Sequence, residues 1–134
     1  LLGCAPIPMQ YRPTAAELLT AIAELLEQDV IDALTGPVQH KVRVAANLAR
    51  ILEHEVTLGG ANAERERVAI GRLLNIEADG RTPLPELRGA LADALRHADL
   101  PGHSETDVWD ALVAITVDDL AIAKPGHDAW TGDA

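Results

Sequence analysis

The sequence predicts an all-α fold, a compact antiparallel bundle of four to five helices. Of its 134 residues 48% are hydrophobic, yet only 2% are aromatic and Phe is absent. The core must therefore consist of aliphatic side chains and close alanine contacts, and alanine is also the strongest helix former. Apolar residues recur at helical spacing, whereas no sustained alternation typical of a half-buried strand occurs.

The first predicted helix follows Pro13 and is about 20 residues long. Thr14 and Glu17 have the spacing of a capping box, in which each side chain accepts a hydrogen bond from the other residue's backbone N–H. Apolar residues then keep a helical period through "AAELLTAIAELLEQDVIDALTG". Gly36 and Pro37 are expected to end this helix, because glycine adopts the left-handed cap conformation and proline resists continuation.

The second predicted helix begins at Val38 and ends at Gly59 and Gly60. Its apolar residues cover more than half of its circumference, so we expect it in the middle of the bundle. The line expected to face inward consists of Val38, Val42, Ala45, Ala49, Leu52 and Val56.

Three further helices are predicted. The third covers about residues 62–76, with Val68, Leu73 and Leu74 inward, and the fourth covers about residues 84–95. Ser104 and Asp107 are expected to cap the fifth, which Pro125 and Gly126 close.

We expect a single domain over residues 10–125, preceded by a non-native or disordered leader at 1–9 and followed by a flexible tail at 126–134. One cysteine, Cys4, excludes a disulfide within the chain. No stretch approaches the roughly 20 apolar residues of a membrane helix. The expected location is cytoplasmic, with no membrane association.

The net charge of −10 argues against sequence-independent binding of nucleic acid, which requires Lys and Arg to neutralise phosphates. The charge is uneven, however, because residues 37–75 hold six basic and four acidic residues. An anionic partner is therefore expected to meet the middle of the chain.

No motif for catalysis or metal binding is present. The histidines lack the H-E-x-x-H or Glu-x-x-His spacing of helical metal sites, so we predict no metal and no cofactor. No G-x-S-x-G and no Gly-rich loop followed by Lys occurs. Adjacent Asp118 and Asp119 are expected on a solvated face, so no catalytic residue is predicted.

The candidate site is a polar stripe on the second helix, within a sector of roughly 80° at 100° per residue. It consists of His40, Arg43, Asn47, Arg50 and His54. The stripe has three interpretations. It is a solvent-facing edge, with Arg50 paired to Glu53; or it includes an Asn or His buried against another helix; or it binds a partner or an anion.

The segments "RPTAAELLTAIAELLEQDV", "HKVRVAANLARILEHEVTLG" and "TVDDLAIAKP" resemble a family of small uncharacterised bacterial domains. Members lie next to, or are fused to, kinases that look like aminoglycoside phosphotransferases, often among genes of acyl-CoA metabolism. The resemblance runs from about Gln10 to Pro125. This chain reads "KPGH" where the family often has Asn-Pro-Arg-Tyr, so no role is carried over for that segment.

The resemblance implies an accessory subunit of a phosphotransferase-like kinase, with hydroxyacyl-CoA as a candidate substrate. It supplies no catalytic residues, but His40, Arg43 and Asn47 match the family's recurrent polar positions. Two alternatives stay open. One is a small ligand-binding or enzymatic bundle with a site between helices, using His40 or His54 as acid or base. The other is a homodimeric structural bundle in which the second and fifth helices meet a symmetry mate, with Trp109 as an anchor.

Overall fold

The structure, a computed structural model, describes residues 12–77 and 80–125. Within these ranges the chain forms four α-helices and no β-strand, which confirms the all-α prediction. They are α1 (Ala15–Leu25), α2 (Gly36–Leu74), α3 (Leu84–Arg96) and α4 (Glu105–Ala123). The predicted leader at 1–9 and tail at 126–134 lie outside the described residues.

The chain divides into two compact units, one ending at Thr57 and the other beginning at Leu58. Unit 1 contains α1 and the first part of α2, and unit 2 contains the rest of α2 with α3 and α4. The single domain expected over residues 10–125 stays a prediction.

Both predicted capping boxes are present. Thr14 Oγ1 accepts a hydrogen bond from the Glu17 N–H at 3.2 Å, and Glu17 Oε2 accepts one from the Thr14 N–H at 2.7 Å. At the start of α4, Ser104 Oγ accepts from the Asp107 N–H at 3.1 Å, and Asp107 Oδ2 accepts from the Ser104 N–H at 2.9 Å. Each box satisfies two backbone donors that a helix start leaves without an internal acceptor.

The helical segment after Thr14 has about the predicted length but changes pitch. α1 ends at Leu25, and a π-helical turn (Leu26–Val30) and a 3₁₀ turn (Ile31–Ala33) follow it. Gly36 has the expected left-handed conformation, with φ +68°, and is the first residue of α2. The predicted stop therefore separates the two helices as expected.

The predicted break at Gly59 and Gly60 is wrong. α2 runs without interruption from Gly36 to Leu74, so the second and third predicted helices are one helix of 39 residues. A glycine inside a helix costs only about 0.5–1 kcal/mol relative to alanine. Unlike proline, it keeps its N–H and its hydrogen bond to the preceding turn. Two glycines therefore weaken this helix without ending it.

Alanine contacts form the core of unit 1. Its buried residues in the described range are Ala23 on α1 and Ala46 and Ala49 on α2. The inward line predicted for α2 is therefore largely wrong, because Val38, Leu52 and Val56 are more than half exposed. Within unit 1, α1 and its following turns are the elements that can cover α2, so they bury one side of it.

Aliphatic side chains form the core of unit 2. Ile70 and Leu73 of α2 and Leu87 and Leu91 of α3 are buried together. The side chains packed against this cluster from α4 are Val108, Ala111, Leu112 and Ile115. The inward position predicted for Leu73 is confirmed, whereas Val68 is half exposed. Val68 and Ile70 lie about 160° apart around the helix, so only one of them can face the core.

No helix in the described ranges is both long enough and apolar enough to cross a lipid bilayer.

Candidate functional site

The five residues of the polar stripe lie on α2 within unit 1. α2 is regular there, so their spacing of three or four residues places them on one side of the helix. At 1.5 Å per residue, the stripe extends about 21 Å from His40 to His54. Its members differ in exposure and in their contacts.

The first three members of the stripe face solvent. His40, Arg43 and Asn47 are all exposed, and none forms a side-chain hydrogen bond or ion pair with another described residue. Asn47 is therefore not an amide buried against another helix of unit 1. The guanidinium of Arg43 retains a positive charge that no described carboxylate neutralises.

Arg50, by contrast, is held by an acid of a different element. Its Nε lies 3.2 Å from Glu27 Oε1 and its Nη2 lies 2.8 Å from Oε2, which is a bidentate pair. The predicted pairing with Glu53 is wrong, because Glu27 in the π-helical turn offers both carboxylate oxygens to the guanidinium fork.

The hydrogen bonds from Arg50 lower the pKa of the Glu27 carboxyl below its usual value. A lowered carboxyl pKa stabilises the folded state at neutral pH, and this contribution is lost as the pH falls through the folded-state pKa. The pair therefore joins α2 to the end of α1 at neutral pH.

His54 lies beside an acid of its own helix. Its Nε2 is 3.3 Å from Glu53 Oε2, and both side chains are about one quarter exposed. The contact is ionic only when the imidazole is protonated. Arg50 and His54 therefore each lie against a glutamate. The remaining residues, His40, Arg43 and Asn47, form the exposed part of the stripe.

The exposed part of the stripe carries chemical groups that are suited to binding another molecule. Arg43 supplies charge and a planar fork of donors, Asn47 supplies both a donor and an acceptor, and His40 adds an imidazole ring with two nitrogens. In the described part of the chain, no group of three or more His, Cys, Asp or Glu side chains could hold a metal ion.

Sequence reasoning missed a buried ion pair in unit 2. Glu66 on α2 is only 6% exposed. Its two carboxylate oxygens accept hydrogen bonds from Arg88 of α3 at 2.5 and 2.7 Å. The hydrogen bond with Glu66 raises the pKa of Arg88. This carboxylate is therefore paired with a guanidinium beside the aliphatic core.

Asp118 forms a second polar cluster in unit 2. Arg65 contacts both of its carboxylate oxygens at 3.0 Å, and buried Asn62 donates to its backbone carbonyl at 3.0 Å. Asp118, predicted on a solvated face, is about one quarter exposed and paired with Arg65, while Asp119 is more than half exposed. Asn62, Glu66 and the core residue Ile70 are spaced by four residues, so they lie on one side of α2. This spacing is the sequence signal that could have predicted the burial of Asn62 and Glu66.

Two cavities of unit 2 bear on the alternative of an inter-helix site. An open cleft of about 560 Å³ between α2 and α4 is lined by Arg65, Arg72 and Asp118 among others. A smaller cavity of about 290 Å³ is lined by His103 and Glu105. Neither is lined by His40 or His54, so these cavities do not support those histidines as an acid or base.

Comparison with known proteins gives one informative result. A family model described as Domain of unknown function (DUF6285) matches residues 32–127. No curated protein and no solved structure gives a significant match to this chain.

Proposed function

The chain belongs to the DUF6285 family, and on this premise we propose that it is a non-catalytic accessory subunit of an aminoglycoside-phosphotransferase-like kinase. The observation that carries the proposal is the exposed part of the stripe, where three neighbouring polar side chains lack a partner in the described chain.

The contrast within the stripe supports a contact surface. The Arg50–Glu27 pair anchors the helix against the end of α1, and Asn47 and Arg43, three and seven residues earlier, project from the same side. A regular helix holds the backbone of such groups at fixed spacing, so binding does not have to order the backbone. An arginine that carries an unneutralised charge favours an acidic partner surface.

The identity of the partner rests on the family resemblance. The sequence lacks the phosphate-cradling and nucleophile motifs of enzymes that transfer phosphoryl or acyl groups, so the chemistry belongs to the partner. Two modes of action follow. The subunit stabilises the fold of the kinase, or Arg43 completes its pocket beside a phosphate-bearing substrate such as a hydroxyacyl-CoA.

Affinity purification from the source organism at moderate salt tests this proposal. The bait is the wild-type chain or an Arg43→Glu, Asn47→Ala variant, and captured proteins are identified by mass spectrometry. We expect a phosphotransferase-like kinase with the wild type and at least a tenfold loss with the variant, since charge reversal places like charges in contact.

The matched control is Lys41→Glu, which makes the same charge change on the same helix. Lys41 lies about 160° around α2 from Arg43, outside the stripe. It should retain the kinase, and circular dichroism should show all three proteins equally helical. Absence of a kinase from the wild-type sample, or equal capture by all three baits, would contradict the proposal.

A further inference from the structure

A second side of α2, next to the stripe, is apolar and exposed. Val44, Leu48 and Leu52 follow one another at intervals of four and are 45%, 54% and 52% exposed. We call these three residues the apolar face. Exposed aliphatic groups of this size at helical spacing are uncommon on a surface that has no partner.

Two opposite charges flank this face symmetrically. Lys41 and Glu55 lie seven residues before and seven residues after Leu48. Both are exposed, and neither forms a hydrogen bond or ion pair within the described ranges. They are about 21 Å apart along one helix, so they cannot pair within a single chain.

A second copy of the chain would cover the apolar face and would also provide partners for Lys41 and Glu55. If two α2 helices cross antiparallel with Leu48 at the two-fold axis, Lys41 of each copy lies opposite Glu55 of the other. Val44 then faces Leu52, which buries apolar side chains on both sides of the axis. A parallel arrangement would place Lys41 against Lys41 and Glu55 against Glu55, and such like charges oppose association.

We propose that the chain forms a homodimer through the apolar face of α2, with antiparallel helices and two symmetric Lys41–Glu55 ion pairs. Helices that pack at about 20° have axes 8–10 Å apart. Each charged residue lies roughly 10 Å along its helix from the two-fold axis. At that point a crossing angle of about 20° increases the distance between the two helices only slightly. Lysine and glutamate side chains can span this distance.

α1 also carries exposed apolar side chains. Leu18, Ile22 and Leu25 are spaced by four and three residues, and they are 43%, 49% and 54% exposed. They add to the exposed apolar surface of unit 1, to which the apolar face of α2 also belongs.

The dimer centres on Leu48, which lies about 140° around α2 from Arg43, so the dimer and the proposed kinase contact can each fail alone. Charge reversal tests the dimer, with sedimentation equilibrium as the measurement. The wild type should associate to twice the 14.2 kDa mass of the chain. Lys41→Glu and Glu55→Lys should each weaken dimerisation about tenfold, because symmetry changes two pairs at once.

The double variant Lys41→Glu, Glu55→Lys should restore the dissociation constant to within about threefold of the wild type. Only a contact between copies gives this rescue, since the two residues cannot meet within one chain. Arg43→Glu is the control and should dimerise normally. Leu48→Glu should abolish the dimer while keeping its helicity. A monomeric wild type at about 100 μM, unaffected single variants or a double variant without rescue would each overturn the proposal.

Discussion

At the scale of single residues, Arg88 is expected to stabilise the fold through its pair with Glu66. It neutralises Glu66, whose side chain is only 7% exposed, while Arg88 itself is half exposed. Arg88→Met leaves the carboxylate buried without its counter-charge. Because water reaches one side of the pair, we expect the free energy of unfolding to fall by about 2 kcal/mol, less than for a fully buried pair. Urea denaturation at pH 7 measures this loss.

Arg96→Met is the matched control on the same helix. Arg96 pairs with Asp93 at 2.7 Å, but both side chains are about 70% exposed. Exposed pairs contribute at most about 1 kcal/mol, so the expected change is within about 0.5 kcal/mol. Equal losses for the two variants would show that burial of Glu66 does not determine the effect.

Sequence spacing predicts residue contacts that are local. The two capping boxes follow from groups three residues apart, and both are present. The Arg50–Glu27 pair joins residues 23 positions apart, and its geometry depends on the π-helical turn after α1. No short-range pattern specifies that turn, so the nearby Glu53 was the only candidate that spacing offered.

At the scale of elements, the glycines inside the unbroken helix α2 are predicted to lower its stability. A Cβ added at Gly60 would meet no atom within 4 Å. Gly60→Ala should therefore raise the free energy of unfolding by about 0.5–1 kcal/mol, because alanine loses less backbone entropy in a helix. Thermal denaturation followed by circular dichroism measures the gain as a higher Tm.

Gly36→Ala should have the opposite sign. Space around Gly36 is equally open, but its φ of +68° places a Cβ close to its own backbone. The left-handed conformation costs an L-residue about 1–2 kcal/mol, so Tm should fall. If Gly60→Ala also lowered Tm, the helix would be broken at the glycine pair, as its sequence had suggested.

Periodicity predicts helices well where proline or a cap defines the boundary. α3 and α4 begin and end close to their expected positions, since Pro83, Ser104 and Pro125 punctuate the sequence. The pair Gly59–Gly60 gives a weaker signal, because glycine is compatible with both a helix and a turn. The helical turns on either side of the glycine pair then decide whether the helix continues, and in this chain it does continue.

At the scale of the whole molecule, composition predicts the all-α class but not how apolar surface is distributed. The absence of Phe and the abundance of alanine predict close alanine contacts, and the residues buried in the described part of unit 1 are alanines. Helical periodicity identifies an apolar face without identifying what covers it. For this reason Leu52 and Val56 were expected inside the bundle, although they are exposed.

The different cores of the two units predict different local stabilities. Unit 1 buries three alanines among its described residues, whereas unit 2 buries Ile70, Leu73, Leu87 and Leu91. Alanine removes little apolar area from water, so local opening of unit 1 should cost less free energy. In hydrogen exchange at low protein concentration, α1 amides should therefore exchange at least tenfold faster than α3 amides.

The proposed dimer adds a concentration dependence to this difference. Association through the apolar face buries surface that belongs to unit 1, so protection of α1 and of residues 36–57 should rise with protein concentration. Protection of α3 should stay constant, and Leu48→Glu should remove the concentration dependence of α1. If α1 and α3 exchanged at equal rates at every concentration, unit 1 would draw its stability from contacts other than its alanine core and the second copy.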